Sequence, residues 1–176
     1  MKPARVLLTG MMGAGKTSVG RALEARTGWA YRDNDEIVAE VEGLPTDELL
    51  ERRGQDELRA AESRALARVL ETDPPLIAGV AGGVIESPAD RETLRSPDAF
   101  VVYLHAPIEL LVKRVGTGAG RPWLQPDPEQ AMRRLFEGRE PLYREVADLV
   151  IDTQDGDAEQ HADLIVAALD RRSPDR

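Results

Sequence analysis

Short apolar runs alternate with amphipathic stretches along the chain, and the alternation predicts strands and helices in turn. Arg5-Val6-Leu7-Leu8-Thr9 is a run of strand type, and Ser18–Ala25 reads as the first turns of a helix. A second strand is expected over Gly28–Arg32, leading into Asp33-Asn34-Asp35 and a helix from Glu36 to about Val41. Gly43 and Pro45 break the pattern. Thr46 is placed to cap a short helix to Arg53, which Gly54 can end in the left-handed conformation. From Gln55 to Leu70 the apolar positions Leu58, Ala61, Ala65, Leu66, Val69 and Leu70 recur at helical spacing, and Asp73-Pro74-Pro75 stops the helix. Leu76–Val80 reads as a buried strand closed by Ala81-Gly82-Gly83, and Ser87-Pro88 as a cap and first helical residue. Phe100–Leu104 is a further strand and Pro107–Val115 a helix. Gly116–Pro122 is flexible by composition. Asp127-Pro128-Glu129-Gln130 starts a helix, and another is expected over Glu140–Ala147. Leu149–Asp152 is the last strand, and Asp157 caps a final amphipathic helix through Leu164, Ile165, Ala168 and Leu169. The tail from Arg171 to Arg176 is expected to fray.

Strands alternating with helices predict an α/β fold with a mainly parallel sheet and right-handed crossovers. Ligands of such sheets sit at the carboxyl ends of the strands. The loop from Gly10, Asp33 and Asp35, Gly82 and Gly83, and the segment after Leu104 all fall just beyond an expected strand.

The loop carries the most specific chemistry. Gly10-Met11-Met12-Gly13-Ala14-Gly15-Lys16-Thr17 fits the phosphate-binding pattern G-x-x-x-x-G-K-[ST] at every fixed position, between a strand and a helix. Glycines let successive N–H groups converge on phosphate oxygens, and the following helix adds the positive end of its dipole. Gly13, Ala14, Gly15, Lys16, Thr17 and Ser18 are therefore the expected nucleotide contacts. Lys16 would reach the β- and γ-phosphates, and the Thr17 hydroxyl would ligate Mg²⁺. Asp33 and Asp35, on an extended tip, would point to opposite faces. One carboxylate could hold the water shell of Mg²⁺, and the other could accept the proton of an attacking hydroxyl. Taken alone, the pair reads equally well as a polar turn that caps a helix. Arg121, in the glycine-rich loop, could close over a transferring phosphoryl group, although a solvated loop arginine is the plain alternative. Arg59 and Arg139 could converge on the same mouth. Gly82 and Gly83 could form a tight turn or admit a ligand close to the backbone. His105 and His161 have no partners at metal-ligand spacing and read as structural or surface residues. Trp29 and Trp123 read as packing.

Composition narrows the classes. A chain of 176 residues suits one domain over 1–176, and 41% hydrophobic residues suit a globular one. The absence of cysteine removes disulfides, thiolate zinc sites and a cysteine nucleophile, and it fits a cytoplasmic setting. A net charge of −9 argues against nucleic acid or an anionic membrane as partner. The run from Leu76 to Ile85 is far short of the roughly 20 residues of a membrane span. A monomer is expected. A GTPase switch would need D-x-x-G and N-K-x-D, and neither motif occurs. A nucleoside monophosphate kinase would need a base-reading pocket, which stays open as an alternative.

An ordered set of segments resembles the shikimate kinase family. It comprises the loop from Gly10 to Thr17, Asp33-Asn34-Asp35, the run from Gly54 to Glu62, Gly82-Gly83, Gly120-Arg121-Pro122, and Arg139-Glu140-Pro141-Leu142-Tyr143-Arg144. The resemblance runs from residue 4 to about 170. It implies a three-layer α/β/α P-loop NTPase fold with a five-stranded parallel sheet in the order 2-3-1-4-5, an acceptor-binding region over about 34–62 and a lid over about 116–126. It also implies transfer of the ATP γ-phosphoryl to the 3-hydroxyl of shikimate, in the chorismate route to aromatic amino acids. In that reading Asp35 holds the acceptor hydroxyl and Asp33 stands near the Mg²⁺ shell. Arg59 and Arg139 hold the substrate carboxylate, and Gly82 and Gly83 offer N–H groups to the substrate. Arg121 is the lid arginine and Arg114 packs on adenine. The chain departs from the family pattern at Ala81, where a third glycine is usual, and at Leu50 and Leu58, where aromatics are often found. It also has Gln154-Asp155-Gly156-Asp157-Ala158 where a basic residue and a proline are frequent near adenine. A kinase of a related cyclitol or sugar acid is the alternative these departures leave open.

Overall fold

The structure is a computed structural model that describes residues 4–116 and 124–172. Five strands form one sheet in the order β2-β3-β1-β4-β5, with every pair parallel. They are β1 Arg5–Thr9, β2 Tyr31–Arg32, β3 Leu76–Gly79, β4 Ala99–His105 and β5 Leu149–Asp152. This is the order that the resemblance implies. The helices are α1 Lys16–Thr27, α2 Asn34–Glu42, α3 Thr46–Glu71, α4 Pro88–Leu94, α5 Ile108–Val115, α6 Pro128–Val146 and α7 Ala158–Arg172, and a 3-10 turn spans Val84–Glu86.

Strand β1 lies between β3 and β4, so both its edges are paired and both its faces are covered. Val6, Leu7 and Leu8 are each fully buried, which is why β1 reads as a continuous apolar run. Burying one such side chain contributes about 1.5–3 kcal/mol before the entropy of ordering it. Strand β2 is an edge strand of two residues, shorter than the expected Gly28–Arg32, because Gly28 is taken up as the left-handed cap of α1 (φ 73°).

Three boundaries differ from the sequence reading, and a fourth, at Gly54, falls where that reading puts a helix end. Helix α2 starts at Asn34, two residues early, because the Asp33 side chain accepts from the Asp35 N–H and caps it. Thr46 is the first residue of α3, with Pro45 before it in extended geometry. Helix α3 changes direction at Gly54 (φ 83°, ψ 178°), where the sequence predicts a stop. Residues 128–146 form one helix instead of two, and Pro141 lies inside it. Proline forfeits one helical hydrogen bond. Burial of Met132, Arg139, Tyr143 and Val146 on one face carries α6 through that loss.

Candidate active site

The carboxyl ends of β1, β2 and β3 open into a cleft of about 810 Å³. Its floor is the phosphate loop. At Gly10 (φ 141°) a side chain would stand 2.5 Å from the Leu104 carbonyl, so the first glycine of the motif is required by the packing of β4 against β1. The Lys16 ammonium donates to the carbonyls of Gly10 at 2.8 Å and Met11 at 3.1 Å, which lays it across the loop. Residues 12–19 line the cleft, with Gly13, Ala14, Gly15, Thr17 and Ser18 among them.

Asp33 ties the β2 end to this loop. Its Oδ2 accepts from the Thr17 hydroxyl and from the Tyr31 hydroxyl, both at 2.8 Å. Burial pushes the Asp33 carboxyl up, but the bonds from Thr17, Tyr31 and the Asp35 N–H, with the charge of Lys16, outweigh it and hold the group below its ordinary value. Asp33 and Asp35 do not lie on an extended tip as expected. Asp33 is the cap of α2, and Asp35 is its second residue. They still face different neighbours. Asp35 is exposed to the cleft and close enough for its charge to act on Glu62.

The far wall is basic and comes from three elements. Arg59 of α3 is paired with Glu62 at 2.5 Å. Arg139 of α6 is 3% exposed and donates to Glu86 at 3.1 Å, and its Nε has no hydrogen-bond partner among the described residues. The Arg139 side chain also lines the cleft, where a planar, charged donor suits a carboxylate-bearing ligand. Gly82 and Gly83 lie between the two arginines. A side chain on Gly83 would stand 2.1 Å from the Arg59 guanidinium, so this glycine is the space that Arg59 occupies. Burial pushes the Glu62 carboxyl up, against the pull of Arg59 and Arg139.

The other end of the cleft adjoins the loop after β5. Arg114 donates to the carbonyls of Gly13 at 3.1 Å and Thr153 at 3.0 Å, so its exposed guanidinium plane is held in one orientation, as stacking on a base requires. The Thr153 hydroxyl lies within hydrogen-bond distance of the carbonyls of Ala14 at 3.1 Å and His105 at 3.0 Å and shares its one proton between them, tying the phosphate loop to β4 and β5. His161, read from sequence as structural or surface, is a buried part of the cleft wall, and its Nε2 meets the Asp155 carbonyl at 2.9 Å. Leu50, Leu58 and Ala81, the departures from the family pattern, also line the cleft.

Of the residues picked out by sequence, Lys16, Thr17, Asp33, Asp35, Arg59, Gly82, Gly83, Arg114 and Arg139 all line this one cleft. Arg121 and most of the expected lid over 116–126 lie outside the described residues. Sequence reasoning gave no role to Glu62, Glu86, Thr153 or Tyr31. Glu62 had a local signal, since it stands three residues after Arg59 on a helical face.

The sequence model of a family described as Shikimate kinase matches residues 12–170. A shikimate kinase from Marinomonas sp. (strain MWYL1) is 35% identical over 97% of this chain and 94% of its own length. A solved structure of shikimate kinase from Acinetobacter baumannii in complex with shikimate superposes with a TM-score of 0.88 at 35% identity, covering 98% of this chain and 96% of that one. A gluconokinase structure from Sinorhizobium meliloti, at 20% identity and a TM-score of 0.67, shares the fold. Both the family model and these relatives span nearly all of the sequence, and the chain belongs to the shikimate kinase family.

Proposed function

We propose that this chain transfers the γ-phosphoryl group of ATP to the 3-hydroxyl of shikimate, yielding shikimate 3-phosphate, ADP and a proton. The observation that carries the reading is the single cleft in which a phosphate loop faces Asp35 and a paired, partly buried set of arginines. The loop N–H groups and Lys16 take the phosphates. Arg59 and Arg139 take the acceptor carboxylate, and the Gly82 and Gly83 N–H groups take acceptor oxygens. Asp35 orients the acceptor hydroxyl and accepts its proton as the new P–O bond forms and the β–γ bridge breaks. Arg114 stacks on adenine, and Arg121 stabilises charge on the group in flight.

The residues present fit Mg²⁺. The Thr17 hydroxyl donates its hydrogen bond to Asp33, which leaves the Thr17 oxygen lone pairs for a cation, and Asp33 stays ionised beside it. When bound, the ion neutralises charge on the β- and γ-phosphates. Thr17 would hold it directly and Asp33 through its water shell. The enzyme acts as a cytoplasmic monomer in aromatic amino acid biosynthesis. No described helix is long and apolar enough to cross a membrane. ADP release measured with shikimate, other cyclitols, gluconate and nucleoside monophosphates tests the assignment. Shikimate should give turnover at least tenfold above the others, and a preference for gluconate or a nucleotide would overturn it.

A further inference from the structure

Behind the cleft wall, and not lining it, stands Tyr143 of α6. The side chain is fully buried, and its ring stacks on Tyr103 with centroids 4.9 Å apart. Its hydroxyl donates to the Gly82 carbonyl at 2.7 Å and lies 4.0 Å from the Met11 sulfur. Burial pushes the hydroxyl's pKa up, against the neighbouring Arg139 guanidinium, so the proton stays on oxygen and the group remains a donor.

The direction of that bond has a consequence across one peptide. In a trans peptide the carbonyl of one residue and the N–H of the next point opposite ways. The Gly82 carbonyl is held toward the buried side by Tyr143. The Gly83 N–H therefore faces the open side, into the cleft that both glycines line. Neither the Gly82 nor the Gly83 N–H takes part in a hydrogen bond among the described residues. Glycine on both sides of a peptide leaves it able to turn over, because neither residue restricts its rotation sterically. A buried donor on the carbonyl removes that freedom. Space is tight as well. A side chain on Gly82 would stand 3.1 Å from the Tyr143 hydroxyl and 3.2 Å from the Gly10 carbonyl.

We infer that Tyr143 is a positioning residue for the acceptor: its hydroxyl locks the Gly82–Gly83 peptide so that the Gly83 N–H is presented to an acceptor oxygen. Tyr143 touches neither substrate and acts through the peptide. The inference rests on the proposed acceptor and extends it to a residue outside the cleft.

The test is Tyr143→Phe, which keeps the ring and its stacking and removes the hydroxyl, with its bond to Gly82 and its contact with Arg139; the Gly83 amide readout below separates the two. Shikimate and an ATP analogue are titrated calorimetrically into the parent and the variant. Acceptor affinity should weaken about three- to tenfold, the range for one neutral hydrogen bond, while nucleotide affinity stays within twofold. Equal acceptor affinity in the two proteins, or a parallel loss for nucleotide, overturns the inference and leaves Tyr143 a packing residue. A second readout needs no variant. The Gly83 amide in the ¹⁵N-labelled parent should shift downfield and exchange more slowly on adding shikimate. A parent that binds shikimate with an unmoved Gly83 amide overturns the positioning role alone. A parent that binds no shikimate overturns the proposed acceptor, and this inference with it.

Discussion

Asp33 and Asp35 stand two residues apart, yet one is bonded to Thr17 and Tyr31 and the other is open to the cleft. Asp35→Asn should lower kcat by about 10²- to 10⁴-fold, the range for acid–base groups, with ATP affinity unchanged; a smaller loss would reduce Asp35 to an orienting role. Asp33→Asn should instead raise the Mg²⁺ concentration needed for half-maximal turnover, read from metal titrations of both variants. Asp33 also has a pH signature. Its folded pKa is depressed, so its contribution to stability is complete above the ordinary value of 3.8 and is lost as pH falls through the lower folded value. Acid unfolding curves should therefore be shallower in Asp33→Asn at the acid end. Arg59→Ala and Arg139→Ala should each weaken shikimate roughly 10- to 100-fold, the range for a charge-assisted hydrogen bond, and leave the ATP analogue unaffected by calorimetry. The loop residues were legible in the sequence because phosphate chemistry imposes fixed spacing, and the aspartates because they follow an expected strand next to that loop. Tyr143 was not, because a contact made through a wall has no linear signature, and the i,i+3 spacing of Arg59 and Glu62 marked a pair without marking its place in the cleft.

At the level of elements, Gly54 divides α3 into an arm that carries Leu49 and Leu50 and a longer arm that carries Leu58, Arg59 and Glu62. Its φ of 83° with ψ of 178° is a backbone state open to glycine alone. Gly54→Ala should cost about 1–3 kcal/mol, seen as a fall of several degrees in Tm, and should raise the shikimate KM more than the ATP KM. An unchanged Tm would mean that the bend is not required. The sequence marked this bend correctly, since glycine after a helical run is a strong stop. It misjudged α6 for the opposite reason. Pro141 reads as a breaker, but a breaker loses to a buried face when the residues on both sides of it, Arg139 and Tyr143, are locked into the core. Continuity of α6 through Pro141 keeps Arg139 and Tyr143 on one rigid rod, one turn apart, at the same wall of the cleft.

Across the whole molecule, the strand order brings segments from residue 12 to residue 161 to one mouth, and each ligand should stabilise the fold by mass action. At 100 times its Kd a ligand adds about 2.7 kcal/mol, or roughly 5–10 °C in Tm for a chain of this size. Shikimate should give this shift in the parent and lose most of it in Arg139→Ala, while the shift with ATP persists; loss of both would make Arg139 a fold residue. The α/β class followed from periodicity alone, whereas the order of the strands needed the family resemblance, because pairing between distant strands leaves no local trace. The Gly10 carbonyl accepts from Lys16 on one side and backs onto Gly82 on the other. A shift of that peptide on the Lys16 side would be passed to the Gly82 side, and such a shift would link nucleotide and acceptor binding. The factor by which ATP tightens shikimate must equal the factor by which shikimate tightens ATP. An acceptor affinity measured at one nucleotide concentration is then an apparent value, and the intrinsic constant emerges only by extrapolation across ATP.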